Sequence, residues 1–464
     1  MSRISLKGVG IAGQRVLLVG YGVIGKELSE EITSNGGLIV ALIEDNVNEL
    51  LQHTEVAAYP TDSLKQAILD QTPTILIVAA SMFTATRFHE IADLAKESSL
   101  PLMIVPERSD FHLGKLKEVT LRSPTLDDLF ARNSLLVDFE GVKNRLNGAR
   151  VLISGAGGSI GSRIALHSFA LGASSVGLLD RDDCLLHDIA VEMTGEMHNP
   201  RAPLFVSDVQ FSRSIDEVFS KFRPDIVVHA AAQKHVTTLE ATPQNALAIN
   251  ILGTINMLQS SERYEVKEFI NISTDKAASL ENVLGLSKYV TERLTAGSSI
   301  ENRKSVRFGN VLGSRASVLN TFRIQAQFFG KLTVRGTETT RFFMTNNEAA
   351  SLSLSALTSD EQTGTYVFDM GQPVRILDLA QEVSASQLNP PEISIEELQS
   401  GEVEHEKLFR PDEKPEETSI SNVYRVTPKP ILLSDAGELM PSLNEIYEMS
   451  PQQARLTIEN LLSI

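Results

Sequence analysis

One segment of the sequence reads Arg150-Val151-Leu152-Ile153-Ser154-Gly155-Ala156-Gly157-Gly158-Ser159-Ile160-Gly161. Its first five residues are typical of a buried β-strand, and three glycines follow with the G-x-x-G-x-x-G spacing of a turn into a helix. Such a turn lets the backbone approach a pyrophosphate, which the free N–H groups and partial positive charge of the helix N-terminus stabilise. We therefore predict a dinucleotide-binding turn. Its candidate cofactor contacts are Gly155, Gly158, Ser159, Ile160 and Gly161.

The ends of the strands that follow supply the other predicted cofactor contacts. Asp180 comes directly after the second strand, where an acid can accept hydrogen bonds from the ribose hydroxyls of an adenosine. This favours NAD over NADP, although the next residue, Arg181, is suited to a 2′-phosphate. Asp208-Val209 ends the third strand at the height of the adenine. The small residues Ala230-Ala231-Ala232 end the fourth and leave room for the cofactor.

An earlier unit opens in the same way. Residues 15–19 form an apolar run, and Gly20, Gly22 and Gly25 follow with the G-x-G-x-x-G spacing. This motif alone is weak evidence for a ligand, because tight strand–helix turns need glycine anyway; we favour a structural or regulatory unit over a cofactor site. Two such openings predict an α/β fold with two tandem Rossmann-like, doubly wound parallel sheets.

We divide the chain into an N-terminal Rossmann-like domain (1–125), a connecting segment with a charged helical pattern (126–146) and a longer second domain (147–464). From about residue 313 the strand–helix alternation weakens and strands such as residues 365–368 look isolated, which predicts a small substrate-binding lobe. Residues 390–418 are rich in Glu and Pro, so we expect them at the surface.

Composition excludes several classes of partner and site. The chain has 464 residues, 42% hydrophobic and 22% charged, and a net charge of −17, which disfavours nucleic acid or an anionic membrane. Its one cysteine, Cys184, rules out an internal disulfide and disfavours a zinc site, so we predict no metal. No apolar run approaches the roughly 18–20 residues that span a bilayer, and residues 1–13 do not resemble a signal peptide. We expect a cytoplasmic protein.

Six further motifs follow the glycine turn. They are His229-Ala230-Ala231-Ala232-Gln233-Lys234-His235-Val236, Asn250-Ile251-Leu252-Gly253-Thr254, Ser273-Thr274-Asp275-Lys276-Ala277, Arg307-Phe308-Gly309-Asn310-Val311-Leu312-Gly313-Ser314, Thr340-Arg341-Phe342-Phe343-Met344-Thr345 and Asp369-Met370-Gly371. In order and spacing the set resembles the polysaccharide-biosynthesis 4,6-dehydratases that act on UDP-N-acetylglucosamine, which are extended short-chain dehydrogenases. The first unit also resembles the Rossmann-like domain of the long members. Those members usually begin with membrane helices, which this sequence lacks, so we expect a soluble variant or a shortened chain.

The resemblance implies a reaction in three stages on a tightly bound, recycled NAD. Hydride leaves C4 of the sugar, the resulting ketone acidifies the C5 proton so that the C6 hydroxyl departs as water, and hydride returns to C6. It also implies a UDP-sugar as the partner and, since extended members are often oligomers, a homo-oligomer.

The catalytic residues depart from the usual short-chain dehydrogenase pattern, Tyr-x-x-x-Lys. Lys288 occupies the lysine position, but Leu284 stands where the tyrosine should be, and a leucine cannot move a proton. The resemblance implies that Thr274-Asp275-Lys276 takes over. We assign Lys276 as the C5 base, Asp275 as the C6 acid and Thr274 as the holder or relay of the 4-hydroxyl proton. Lys288 would bind the nicotinamide ribose.

The substrate contacts are also predictions from the resemblance and from the affinity of arginine for diphosphate. They are Lys234, His235, Asn310, Arg315 and Arg341. Two departures leave the exact sugar nucleotide open: Ser279-Leu280 replaces an Asn-Pro, and Val403-Glu404-His405 replaces an Arg-Pro-Gly before Glu406. The alternatives are a nucleotide-sugar 4-epimerase, which normally keeps the tyrosine, and a non-catalytic nucleotide-binding regulator.

Overall fold

The computed structural model describes most of the chain and divides it into two compact units, Met1–Ser134 and Leu135–Ile464. The described residues are 3–6, 10–44, 56–79, 85–105, 118–123, 138–385, 387 and 389–464. Residues 126–137 of the predicted connecting segment lie outside this set, and the helix Phe139–Leu146 covers the end of that segment.

The N-terminal unit has a five-stranded sheet in the order β4-β3-β2-β5-β6, with every neighbouring pair parallel. Its strands are β1 Arg3–Ser5, β2 Arg15–Val19, β3 Leu38–Ile43, β4 Ala57–Tyr59, β5 Ile75–Val78, β6 Leu102–Ile104 and β7 Glu118–Thr120; its helices are α1 Val23–Ser34, α2 Leu64–Gln71 and α3 Ala85–Glu97, with a 3₁₀ turn at Thr61–Ser63. β2 and β5 are short apolar runs with most side chains buried, as strands covered on both faces require. β1 and β7 pair separately.

The second unit has a nine-stranded sheet in the order β10-β9-β8-β11-β12-β13-β18-β22-β21. Its strands are β8 Arg150–Ser154, β9 Ser175–Asp180, β10 Leu204–Val206, β11 Ile226–His229, β12 Glu268–Thr274, β13 Asn302–Phe308, β14 Asn310–Val311, β15 Lys331–Arg335, β16 Thr340–Arg341, β17 Phe343–Met344, β18 Thr363–Phe368, β19 Val374–Arg375, β20 Glu392–Glu396, β21 Glu416–Glu417 and β22 Val423–Val426. The seven strands from β10 to β18 are parallel, and β22 and β21 add antiparallel at the edge. The prediction of two Rossmann-like parallel sheets is confirmed.

Helices cover this sheet. They are α4 Phe139–Leu146, α5 Ser159–Ala170, α6 Asp183–Thr194, α7 Ser212–Phe222, α8 Val236–Ala241, α9 Pro243–Asn245, α10 Gly253–Arg263, α11 Val283–Gly297, α12 Val318–Phe329, α13 Asn346–Ser355, α14 Ile376–Ala385, α15 Leu433–Leu439, α16 Leu443–Glu448 and α17 Pro451–Ser463, with a π-helix at Ala246–Leu252 and 3₁₀ turns at Asp275–Ala278 and Ala356–Thr358. α11 is buried on nearly all sides, as expected of a core helix, and begins at Asn282, whose side chain accepts from Gly285 N.

The strand predicted as isolated belongs to the main sheet. β18 pairs with β13 in parallel, and its residues from Gly364 to Phe368 are all buried. Its apolar run is therefore that of an interior strand, and the expectation of an isolated strand was wrong. Three two-stranded pairs form the smaller additions around it: β14 with β17, β15 with β20 and β16 with β19.

The strand order places the candidate site. The order reverses between β8 and β11, and ligands of doubly wound sheets bind outside the carboxyl ends of the strands at such a switch point. The glycine turn follows β8, Ala230 to Ala232 follow β11, and Thr274 ends β12, the next strand along. In the described part of the chain, no helix is long and apolar enough to cross a membrane.

Candidate active site

Glycines in the turn after β8 allow close backbone contacts that side chains would prevent. Gly155 has φ +68°, and a Cβ atom there would lie 2.7 Å from Ala231 N. A Cβ on Gly161 would lie 2.1 Å from Gly155 O, so α5 could not begin so close to the turn. Glycine is needed at both positions, because a side chain would push the helix start or the β11 loop away. Ser159 and Ile160 form the first residues of α5, as predicted.

The acidic residue at the end of β9, Asp180, lies against this glycine turn. Asp180 Oδ2 accepts from Gly157 N at 3.0 Å, and its Oδ1 accepts from Asp182 N at 3.2 Å. A carboxylate at the end of β9, next to a turn without side chains, fits the ribose and diphosphate of a dinucleotide. Arg181 beside it is exposed.

The third strand end is also held by contacts within the loop. Asp208 Oδ1 accepts from Gln210 N at 3.0 Å, and the buried Val209 packs against Gly253, where a Cβ would lie 2.7 Å from Val209 Cγ2. Asp208 and Val209 therefore have a fixed position after β10, and their contact with adenine stays a prediction.

A buried histidine positions the loop after β11. His229 Nδ1 lies 2.7 Å from Ser154 Oγ, and its Nε2 lies 3.0 Å from Thr254 Oγ1. Burial and the charge of Lys288 lower the pKa of His229 to about 3, so the ring is neutral. Ala230 N then donates to Ser154 O at 3.1 Å. These contacts place Ala230 and Ala231 beside the glycine turn, and the exposed Ala232 follows them.

Helix α11 carries Lys288 into this region. Lys288 is buried, and burial lowers its pKa to about 8, although the charge of Glu292 one turn later opposes the shift. Leu284, one turn earlier, is part of the apolar core that α11 forms with its neighbours. The tyrosine position of the usual motif is thus occupied by a core side chain without a proton to exchange.

The Thr274-Asp275-Lys276 triplet forms one hydrogen-bonded cluster. Thr274 Oγ1 donates to Asp275 Oδ1 at 2.9 Å, and Lys276 Nζ donates to the same oxygen at 3.1 Å. Asp275 is fully buried, and its Oδ2 has no hydrogen-bond partner among the residues that the structure describes. A Cβ on Gly309 would lie 2.9 Å from that oxygen, so the glycine after β13 gives the carboxylate its room.

A residue that the sequence did not single out completes the cluster. Glu406 Oε1 lies 2.6 Å from Lys276 Nζ and 3.2 Å from Arg341 Nε. Its Oε2 accepts from Asn310 Nδ2 at 3.2 Å, and Asn310 Oδ1 accepts from Lys276 at 3.4 Å. Glu406 is 8% exposed, so the prediction that residues 390–418 lie at the surface was wrong here. The positive charges of Lys276 and Arg341 offset the free-energy cost of burying this carboxylate.

The cluster perturbs the pKa of each member. Burial would raise the pKa of Asp275, but Lys276 and the hydrogen bonds from its neighbours lower it, so Asp275 is a carboxylate. Burial would lower the pKa of Lys276, but Asp275 and Glu406 raise it, so Lys276 is an ammonium. Burial and the charge of Asp275 raise the pKa of Glu406 to about 7. Glu406 is therefore the member whose charge changes near neutral pH.

The predicted substrate residues fall into two groups. Asn310 and Arg341 belong to the cluster, where Arg341 also donates to Val403 O at 2.9 Å and Glu404 O at 3.1 Å. Arg341 thus fixes the segment that carries Glu406.

The other group lies toward the glycine turn. Arg315 N donates to Ser159 Oγ at 3.1 Å, and its guanidinium donates to Gly157 O. Lys234 Nζ donates to Ser314 Oγ at 3.3 Å, and burial, with the charges of Arg315 and Lys276, lowers the pKa of Lys234. The exposed His235 follows, its pKa lowered by burial and by Lys234. Contact of these residues with a substrate stays a prediction.

Residues 151–428 match the family model described as polysaccharide biosynthesis protein, a match that covers more than half of the chain. The chain belongs to the polysaccharide biosynthesis protein family. The prediction of a polysaccharide-biosynthesis family is thereby confirmed. Every predicted catalytic, cofactor and substrate residue lies inside the matched range, and so does Glu406.

Individual relatives agree with this family membership. The chain is 32% identical over 425 residues to the capsular polysaccharide biosynthesis protein CapD of Staphylococcus aureus, covering 88% of this chain and 71% of that protein. It is 29% identical over 287 residues to a UDP-glucose 4-epimerase of Rickettsia bellii, covering 60% and 82%. Among solved structures, Pen from Bacillus thuringiensis is similar with a TM-score of 0.56 and 27% identity, over 61% of this chain and 91% of that chain.

Proposed function

We propose that this family member is an NAD-dependent UDP-sugar 4,6-dehydratase that converts UDP-N-acetylglucosamine to its 4-keto-6-deoxy product. One observation carries the proposal: Thr274, Asp275 and Lys276 form a single cluster of proton-exchanging groups at the end of β12. Elimination of water needs a base and an acid side by side, and one carboxyl and one amine can divide these tasks.

The glycine turn would hold NAD. Gly155, Gly158 and Gly161 leave the backbone free for the diphosphate, and Asp180 would accept from the adenosine ribose, which favours NAD over NADP. Bound NAD supplies the acceptor of the C4 hydride and the donor of the hydride that returns to C6. Lys288 would hold the nicotinamide ribose, since it is buried and its charge acts on His229 at the end of β11.

Thr274 and Asp275 would move the proton of the 4-hydroxyl. Asp275 is a carboxylate because its pKa is lowered, and the Thr274 hydroxyl donates to it. As the 4-ketone forms, Thr274 would pass the hydroxyl proton to Asp275. Asp275 would then give this proton to the C6 oxygen, so that the C6–O bond breaks and water leaves. The two steps return Asp275 to its ionised form.

Lys276 would remove the C5 proton and give it back to C5 after hydride return. Lys234 and Arg315 would bind the diphosphate of the substrate, because they bring positive charge to the same side of the site. The C5 configuration of the product depends on the face from which the proton returns.

A nucleotide-sugar 4-epimerase is the second candidate. The similarity to the Rickettsia bellii UDP-glucose 4-epimerase supports it. Epimerisation needs only a 4-hydroxyl base and has no use for an acid at C6. Leu284 at the tyrosine position and the Asp275–Lys276 pair favour the dehydratase over the epimerase.

The test is to incubate the purified protein with UDP-N-acetylglucosamine in deuterated water and to analyse the product by mass spectrometry and NMR. Loss of one water with deuterium at C5 supports the dehydratase, and the C5 configuration distinguishes retention from inversion. An unchanged mass with a new C4 epimer identifies an epimerase instead. Lack of turnover of this and other UDP-sugars by protein that contains NAD contradicts both candidates.

A further inference from the structure

Glu406 makes the shortest polar contact in the catalytic cluster. Its Oε1 lies 2.6 Å from Lys276 Nζ, whereas Asp275 Oδ1 lies 3.1 Å and Asn310 Oδ1 3.4 Å from the same atom. Arg341 Nε and Asn310 Nδ2 hold the two oxygens of Glu406 at 3.2 Å each. The carboxyl group is therefore held against the Lys276 ammonium by contacts on both of its oxygens.

The role proposed for Lys276 requires another group to accept the proton that its ammonium must first lose. An amine can take the C5 proton only when it is neutral, yet Asp275 and Glu406 raise the pKa of Lys276 and keep it charged. Asp275 is unsuited to receive that proton, because it must stay ionised to accept the 4-hydroxyl proton from Thr274. Asn310 offers only an amide oxygen. Among the described residues, Glu406 is the remaining side-chain acceptor in contact with Lys276 Nζ.

We propose that Glu406 accepts the proton of the Lys276 ammonium when the sugar binds, which frees the amine to take the C5 proton. This inference rests on the proposed function and deepens it. The N–H bond of Lys276 breaks as an O–H bond forms on Glu406 Oε1, which converts a buried ion pair into a neutral pair. After Lys276 has returned its proton to C5, Glu406 gives the stored proton back and the site is restored.

The surroundings of Glu406 allow both its ionised and its protonated form near neutral pH. The charged groups that face it are Asp275 and Lys276 from the 3₁₀ turn and Arg341 from β16, and burial with the charge of Asp275 raises its pKa to about 7. Once protonated, Glu406 carries a proton that the neighbouring Asp275 carboxyl can accept, because Asp275 Oδ2 has no donor among the described residues. Proton transfer can thus satisfy a buried acceptor.

Glu406 acts through Lys276, so its test needs readouts that a structural role would not change. We would compare the wild type, Glu406→Gln and Glu404→Gln in the full chain. Glu404 is the matched control because its side chain is 50% exposed and it contacts the cluster only through its backbone oxygen. The readouts are kcat and KM with UDP-N-acetylglucosamine, deuterium exchange at C5 across pH, and the infrared carboxylic-acid band on either side of pH 7. NAD content and circular dichroism check folding.

The wild type should exchange C5 faster as pH rises through about 7, because Glu406 must be ionised to accept the proton. Glu406→Gln should lose the pH dependence of C5 exchange and the carboxylic-acid band. Its kcat should fall about 100-fold or more, whereas its KM should change less than threefold. Glu404→Gln should match the wild type. The wild-type pH profile and infrared band test the inference even if the variant does not fold.

Two contrary results are distinguishable. In the first, the wild type dehydrates the substrate, and Glu406→Gln keeps both the pH profile and, within threefold, the rate of C5 exchange. This result overturns the role of Glu406 but leaves the proposed function standing. A wild type with no acidic limb near pH 7 in its C5 exchange also overturns that role. A wild type that turns over no UDP-sugar overturns the proposed function and this inference with it.

Discussion

Arg307 Nη2 lies 2.6 Å from Glu292 Oε2, and both side chains are completely buried. The same guanidinium lies 2.8 Å from Glu413 Oε2 and donates to Leu408 O at 3.0 Å. Glu292 belongs to α11, and Leu408 and Glu413 follow Glu406 in the chain. Arg307 therefore links the helix that carries Lys288 to the segment that carries Glu406. The network therefore joins two of the elements that carry site residues.

Replacement of Arg307 by methionine should destabilise the protein by about 3–5 kcal/mol, because two buried carboxylates lose their partner. Calorimetry of the full chain measures the loss. Arg425→Met is the control: it removes an ion pair with Glu416, whose side chain is 60% exposed, and should cost about 0–1 kcal/mol. Equal effects of the two substitutions would mean that Glu292 and Glu413 reach solvent or a new partner when Arg307 is lost.

Asp275→Asn should lower the rate of water release about 100-fold or more, because the amide cannot carry a proton from Thr274 to the C6 oxygen. The amide keeps an oxygen that can accept from Thr274, so the fold of the turn should survive. Mass spectrometry of the product measures the rate. Asp216→Asn, at a surface pair with Arg263, is the matched control and should leave the rate unchanged. A near-normal rate in Asp275→Asn would remove the acid role.

The sequence predicted those parts of the site that depend on local pattern. The sequence placed the glycine turn after β8 and Asp180 at the end of β9, and the structure adds the hydrogen bond from Gly157 N to Asp180 Oδ2. The triplet at the end of β12 was found from the family resemblance, and the structure adds its hydrogen bonds.

Glu406 was missed because its burial depends on non-local partners. It lies in a segment rich in Glu and Pro, which is typical of a surface loop, and only its pairing with Lys276 and Arg341 keeps it in the interior. The available signal was its position directly after Val403-Glu404-His405, where the sequence departs from the family pattern that it otherwise resembles. β18 was misjudged for a similar reason: its partner β13 is distant in the chain, and the segment between them interrupts the strand–helix alternation.

Gly161→Ala should reduce the NAD that copurifies with the protein to a tenth or less. The new methyl group would lie 2.1 Å from Gly155 O, so the start of α5 must move away from the turn. The bound cofactor is released by denaturation and quantified. Gly437→Ala is the control, because no atom lies within 4 Å of the added carbon, and NAD content should not change. Full NAD content in Gly161→Ala would show that this turn does not hold the cofactor.

Glu406 should also make the stability of the protein depend on pH. Its pKa is raised from an ordinary value of 4.5 to about 7 in the folded protein, so the folded state binds the proton more tightly than the unfolded chain. The wild type therefore loses this contribution as pH rises from about 4.5 through about 7. Glu406→Gln cannot titrate, so its thermal midpoint relative to the wild type should increase over that range. Glu404→Gln should show no such trend. A constant difference between Glu406→Gln and the wild type would mean that Glu406 titrates alike in the folded and unfolded chain.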